Sequence, residues 1–276
     1  MKRLGVTLVA LVLIGAVATI GWRHFTDKVK TLLPDECVAT VGALHASLDV
    51  DQAQNAGVIA AIGVRRGLPA RAVTIALATA MQESKLHNLD YGDRDSVGLF
   101  QQRPSQGWGT RKQLKDPVYA IGRFYDALVR VDGYESMRIT EAAQKVQRSG
   151  FPEAYADHEP AARALASSLT GQTGHAFSCR FGSVEAGRPA VVRDEVTGVF
   201  GELVSRPAVT GRTITVGVPS RAAGWALAHY LVAQGDRLGI RRVTYAGQAW
   251  SGDTEWAPVG ARTAGRVKID LAGPAG

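Results

Sequence analysis

Two patterns of hydrophobic and polar positions divide the chain. Met1, Lys2 and Arg3 precede an uncharged run from Leu4 to Trp22, and Arg23, Lys28 and Lys30 follow it. As a helix those 19 residues would be about 28 Å long at ~1.5 Å per residue, just enough for a ~30 Å hydrocarbon core. The pattern predicts a single-pass anchor, with an N-in orientation only weakly supported because both flanks are basic. Ala16-Val17-Ala18 is an A-x-A-like site behind a shorter apolar core, so the alternative is a signal peptide cleaved on secretion. Both readings place everything after residue 30 outside the cytoplasm.

Beyond that run the periodicity becomes that of a folded protein. Val38 to Leu48 alternates loosely around Gly42, as a hairpin or extended lead-in would. Asp49 with Gln52 is a capping-box pair and opens a helix that ends near Gly67. Pro69 suits a first helical position, and the next helix runs to about Lys85. It is apolar almost all round and so predicts a core element. A loop rich in Gly, Asp and Gln covers 87–113. Further helices are predicted from Asp116-Pro117 to about Arg130, from Thr140 to Arg148, and from Pro152 to before Gly171. Gly171, Gly174, Gly182, Gly187 and Pro189 mark a linker over 171–190. Strands follow at Thr213–Val218, Arg241–Ala246 and Arg266–Leu271, with helices at Asp194–Val204 and from Ser220 to Gly239. The expected fold class is α+β overall. A membrane anchor or signal segment (1–30) precedes an all-α domain (37–180) and a small α/β accessory module (190–276), with no internal repeat.

Composition narrows the class. Hydrophobic residues at 46% and charged residues at 21% exclude wholesale disorder. A mean hydropathy of −0.03 with a single long apolar run excludes a multi-span membrane protein. Lys and Arg outnumber Asp and Glu by 32 to 25, for a net charge of +7. Such a surface suits an anionic polymer, an anionic lipid or nucleic acid. The predicted topology and the lack of a basic-aromatic motif argue against nucleic acid. Cys37 and Cys179 have neither C-x-x-C nor metal-ligand spacing, and an oxidising compartment makes one disulfide between them the economical reading. The histidines are scattered without H-x-x-x-H or H-E-x-x-H, so neither a metal nor another cofactor is expected.

One acidic position stands out. On a helical wheel Ala72, Ala76, Thr79 and Ala80 fall within about 60° of Glu83, whereas Arg71, Thr74, Gln82 and Lys85 form a polar stripe elsewhere. A carboxyl on the small-residue side of a core helix is poorly hydrated, which disfavours its charged form. A carboxylic acid that keeps its proton toward neutral pH can protonate the leaving oxygen of a glycosidic bond. The alternative is a helix-end glutamate that is solvated or paired with Lys85 or His87.

Glu83-Ser84 is followed, after a polar loop, by Gly98-Leu99-Phe100-Gln101-Gln102. This resembles the lysozyme superfamily, specifically the soluble lytic transglycosylases and goose-type lysozymes. Their signature is a helix-terminal Glu-Ser and, after a loop, Gly-Leu-Met-Gln. The spacing matches, Phe100 stands in place of Met, and the resemblance covers about 49–170. It implies a lysozyme-like domain with Glu83 as catalytic acid, Ser84 supporting its position and Gln101, beside Gln102, lining a sugar cleft. The family also has a Tyr-Asn-Ala-Gly motif whose Tyr lies near the acid. Here Gln147-Arg148-Ser149-Gly150 occupies that place and Tyr155 follows, so Tyr155 is the candidate substitute. Trp108, between Gly107 and Gly109, is a candidate for stacking on a sugar face, or else a core residue.

A lysozyme-type mechanism wants a second carboxylate, and Asp93 and Asp95 are the candidates. Their alternative role is a polar turn tied to Arg94 and Arg103. Without a second acid, the transglycosylase resemblance implies that Glu83 alone suffices, as acid and then base. The expected function is an extracytoplasmic peptidoglycan glycosidase cutting between N-acetylmuramic acid and N-acetylglucosamine. The alternative is a non-catalytic lysozyme-fold protein that binds wall glycan or organises an envelope complex.

Overall fold

A computed structural model describes residues 34–148, 153–260 and 265–274. The predicted anchor lies outside those residues; among the described residues no helix is long and apolar enough to cross a membrane. The architecture is mixed α+β with two sheets.

Strands β1 (Glu36–Val41) and β2 (Leu44–Leu48) form the hairpin predicted around Gly42. Helix α1 (Val50–Arg65) begins with the capping box read from the sequence: Asp49 accepts from the Gln52 amide, and Gln52 accepts from the Asp49 amide. Helix α2 (Ala70–Ser84) starts one residue later than predicted, with Pro69 as its cap. Every residue from Ala72 to Ala80 is buried, as an all-round apolar helix requires. A short helix α3 (Arg111–Leu114), unmarked by any apolar period, interrupts the long loop. It is held by a Thr110–Gln113 capping box. Helices α4 (Pro117–Leu128) and α5 (Ile139–Gln147) follow near their predicted positions. The last helix of this part, α6 (Glu159–Leu169), begins later than expected and carries its own proline in the first turn.

The predicted linker over 171–190, and with it the all-α reading of 37–180, is corrected by strand β3 (Phe177–Arg180), which adds to β1 antiparallel with Cys179 opposite Cys37 and completes a three-stranded sheet. The two cysteines form the expected disulfide, 142 residues apart in sequence. A four-residue strand whose partner lies that far upstream leaves no local periodicity to read.

Helix α7 (Pro189–Phe200) leads into the second sheet. Its strands are β4 (Ala208–Thr210), β5 (Thr213–Gly217), β6 (Ile240–Tyr245), β7 (Gln248–Trp250), β8 (Ala257–Pro258) and β9 (Arg266–Leu271), in the order β4-β5-β9-β6-β7-β8. The paired strands are antiparallel throughout. The short strands β4, β7 and β8 were not visible in the sequence. The helix predicted from Ser220 is α8 (Arg221–Ala233) continued by α9 (Gly235–Leu238).

One continuous core runs through both parts. Helix α8 lies so close to α1 that a Cβ on Gly57 would sit 3.2 Å from that of Ala233. Gln234 Nε2 donates to the Gln54 carbonyl at 3.0 Å. The indoles of Trp250 and Trp256 donate to the carbonyls of Cys179 and Phe177. Both rings therefore serve packing between the parts. Fully buried His229 donates from Nδ1 to the Ser168 carbonyl at 2.6 Å, inside a cage that includes Trp225, Phe177 and Trp256.

Two stability predictions follow from this joint. Replacing both Cys37 and Cys179 by Ala opens a long loop in the unfolded chain and should cost up to about 5 kcal/mol, measured by urea unfolding. Burial pushes the His229 imidazole down to about 4 from an ordinary 6.5. Between those values the unfolded chain takes up a proton that the folded chain refuses. Stability from this group is therefore full above about 6.5 and lost as pH falls toward 4, by about 3 kcal/mol. His229→Gln keeps a donor and removes the titration. An equal pH dependence in variant and wild type would contradict the assignment.

Candidate active site

Glu83 sits in the last turn of α2, whose exit has an unusual backbone. Lys85 and Leu86 both adopt positive φ, 54° and 62°, a conformation that costs non-glycine residues energy. The amides of Lys85 and Leu86 return to the carbonyls of Met81 and Ala80, closing a Schellman-type end. Helix α1 holds this turn from the side, with Gln52 donating to the Lys85 carbonyl and Asn55 to that of Leu86. Buried Leu86 completes the anchor. The chain reverses abruptly, and Glu83 is left half-buried at the edge of the helical core. Its wheel neighbours Ala72, Ala76, Thr79 and Ala80 are fully buried.

The Gly98–Gln101 segment is a tight turn closed by an antiparallel bridge between Val97 and Gln102. Leu99 and Phe100 point into the core, where Phe100 stacks on Phe124 at 4.4 Å. The carbonyls of this turn are held from two helices. The Ser84 hydroxyl is shared between the carbonyls of Leu99 (2.8 Å) and Ala80 (3.0 Å), and Gln147 Nε2 donates to that of Phe100 at 2.8 Å. Gly98 has φ +80°, and a Cβ there would lie 2.5 Å from the Leu114 carbonyl oxygen. No other residue fits without displacement.

Tyr155 closes the site from the opposite side. Its fully buried ring places Oη to donate to Glu83 Oε1 at 2.7 Å. Beside it, His158 Nε2 lies 2.9 Å from Gln82 Oε1, a second tie between the segment before α6 and the end of α2. Among the described residues no other hydrogen bond or ion pair engages the Glu83 carboxylate.

Glu83 lines a cavity of about 370 Å³ whose walls are mostly polar, with Gln101, Gln147, Asp93, Arg103 and Arg148 among them. Trp108 forms one side, and its loop is pinned by Tyr119 Oη and Arg123 Nε, both donating to the Trp108 carbonyl. Gly109 allows this approach, since a Cβ there would meet the Tyr119 hydroxyl at 2.7 Å. The half-buried indole is thus presented on a fixed loop, as stacking on a ligand requires.

The structure sorts the residues read from the sequence. Glu83, Gln101, Trp108 and Tyr155 meet at one place. Ser84 does not face the cavity; it is buried and holds the turn, in keeping with a supporting role. Gln102 borders the same cavity, but it is only 2% exposed and its Nε2 is turned into the protein, donating to the Ala120 carbonyl. The Gln101 amide is engaged within its own loop, with Gly98 and Tyr91 carbonyls as acceptors. Asp95 is tied to the Arg103 guanidinium and to the amide and hydroxyl of Ser105, and these bonds hold its carboxyl far below the usual range. It is a loop brace rather than a second acid. Asp93 reaches the cavity rim with its side chain 92% exposed, its near cation being Arg94 at 3.9 Å. Gln147 and Arg148, which stand where the resemblance would put a tyrosine motif, both line the cavity.

The needed glycine gives a direct test. Gly98→Ala should destabilise the protein by about 2 kcal/mol or more in thermal or urea unfolding. Gly107→Ala, also at positive φ but facing open space, should cost clearly less.

No family model matches this chain, and no curated protein matches it.

Proposed function

We propose that the protein is an extracytoplasmic, membrane-anchored or secreted glycosidase acting on peptidoglycan, with Glu83 as its general acid and base. The observation that carries this reading is the Glu83 carboxyl, fixed on one oxygen by Tyr155, at the wall of a polar cavity flanked by Trp108. The Glu-Ser and Gly-Leu-Phe-Gln motifs, with their lytic transglycosylase-like spacing, support the substrate class. Gln106 and Arg148, both exposed on the cavity wall, suit the hydroxyls and acetamido groups of a glycan, and an indole suits a sugar face.

Proton donation needs Glu83 in its neutral form. Glu83 then gives its proton to the glycosidic oxygen as the bond from C1 breaks, leaving oxocarbenium character on the muramic acid ring. The resulting carboxylate takes the proton of that ring's own 6-hydroxyl, whose oxygen closes on C1. The acid is regenerated and the product is a 1,6-anhydro sugar. Water is not consumed and a second carboxylate is not required. This fits a site where Asp95 is committed to Arg103 and Asp93 is open to solvent. Tyr155 acts through Glu83, fixing the carboxylate against rotation.

Purified protein incubated with peptidoglycan should release soluble muropeptides, and Glu83→Gln should lower the rate by roughly 10²–10⁴-fold with unchanged thermal stability. Tyr155→Phe, which removes the one hydrogen bond that holds the Glu83 carboxyl, should lower kcat about 10- to 100-fold with little change in KM. Equal release by wild type and Glu83→Gln would remove Glu83 from catalysis. Binding to peptidoglycan without release would identify a wall-binding protein instead.

A further inference from the structure

The second sheet sorts its side chains by face. Val267, Ile269 and Leu271 of β9, with Ile214 and Val216 of β5, are buried in the core. Their alternate neighbours lie on the opposite face, where Lys268 stands between Thr215 and Thr244, and Arg266 pairs with Gly217. Strand β6 adds a bulge there. Ile240 pairs with Leu271 and Arg242 with Asp270, so Arg241 is an extra residue. A bulge sets two residues against one, and both arginines therefore oppose Asp270. Four cations share this face with one acid, and that acid is already engaged by Thr213 Oγ1 and Lys268 Nζ. Among the described residues Arg241, Arg242 and Arg266 hold no acid, whereas Arg66, Arg138 and Arg163 each do. The other side chains of the face are threonine, alanine and glycine. Side chains this small build no walls, so the face suits a broad anionic surface rather than a clasped chain.

The length of chain before the fold names that surface. Asp35 accepts from the Gly182 amide, and Gly187, shortly after, donates to the Ala272 carbonyl at the end of β9. The start of the described chain is thus within about 30 Å of that strand end. The apolar run stops at Trp22, and Arg23 to Leu33 can span at most roughly 36–40 Å. A sheet held so near a bilayer meets headgroups at high effective concentration. Each basic residue close to anionic lipid then strengthens the contact about fivefold. Negative charge gathers at the chain start instead, where burial first, and then Asp35, Glu185 and Asp51, raise the Asp236 carboxyl above its ordinary range. An anionic surface repels that end and turns the sheet face toward itself. We propose that the outer face of the second sheet docks on an anionic lipid surface, laying this part of the protein against the membrane from which it is tethered. The tether rests on the anchored form proposed above; the affinity of the face for anionic headgroups does not.

The test uses the full chain with vesicles of phosphatidylcholine alone and vesicles that also contain phosphatidylglycerol. Ala208, exposed on this face opposite Thr215, is replaced by Cys and labelled with a fluorophore. Both native cysteines are in the disulfide, so the new thiol is the only one free. A quencher carried on the lipid reads contact. Quenching should be strong with phosphatidylglycerol, weak without it, and lost as salt rises. Arg241→Gln/Arg242→Gln and Arg266→Gln/Lys268→Gln should each reduce it, and the four substitutions together should abolish it at unchanged melting temperature. No quenching, equal quenching in the two kinds of vesicle, or undiminished quenching in the fourfold variant would each overturn the proposal. The anchor is read separately, by washing the phosphatidylcholine vesicles at high pH. Protein that stays carries the tether. Protein that washes off contradicts the anchored form, and quenching on phosphatidylglycerol still decides the docking face.

Discussion

A single hydrogen bond, from Tyr155 Oη to Glu83 Oε1, brings the candidate chemistry to one point. Its two ends come from segments 72 residues apart, and each is fixed independently. Glu83 rides on a helix whose exit is forced into two consecutive left-handed residues and pinned there by Gln52 and Asn55. The Tyr155 ring is fully buried, and the neighbouring His158–Gln82 contact ties the same segment to α2. Strain of this kind persists only where the surroundings over-determine it, and it tends to collect at functional sites. Its effect here is to hold a carboxyl still at the edge of a core without sealing it inside.

The C-terminal part belongs to the same mechanical chain. Helix α8 packs on α1, with Gln234 bonded to the Gln54 carbonyl and Gly57 making room for Ala233. Helix α1 in turn supplies the two side chains that hold the exit of α2. A change in the joint around His229 therefore has a physical route to Glu83 through a shared helix, although among the described residues none from the second sheet lines the cavity.

Much of this was legible in the sequence where the signal is local. The Asp49–Gln52 capping box, the proline starts and the apolar periods marked most helices to within a few residues, but α6 begins seven residues later than expected, α7 five residues earlier, and the short α3 carries no apolar period. The small-residue helix around Glu83 was visible as a core element because its period is unbroken. What escaped notice depends on distant partners. Strand β3 exists because β1 offers it an edge, and its glycine-rich surroundings read as a linker. The site divides the same way. Glu83 and the Gly98–Gln101 turn were readable as motifs, and Tyr155 could be named but not placed. The inward turn of Gln102 and the commitment of Asp95 to Arg103 and Ser105 are three-dimensional facts with no sequence period.

The proposed chemistry turns on whether the sugar's own hydroxyl or water completes the reaction, since one well-held carboxyl suffices only in the first case. Digesting peptidoglycan in water enriched in heavy oxygen and weighing the new sugar ends decides this directly. The account predicts anhydro ends free of the label. Reducing ends that each carry one heavy oxygen, or no new ends at all, would contradict it.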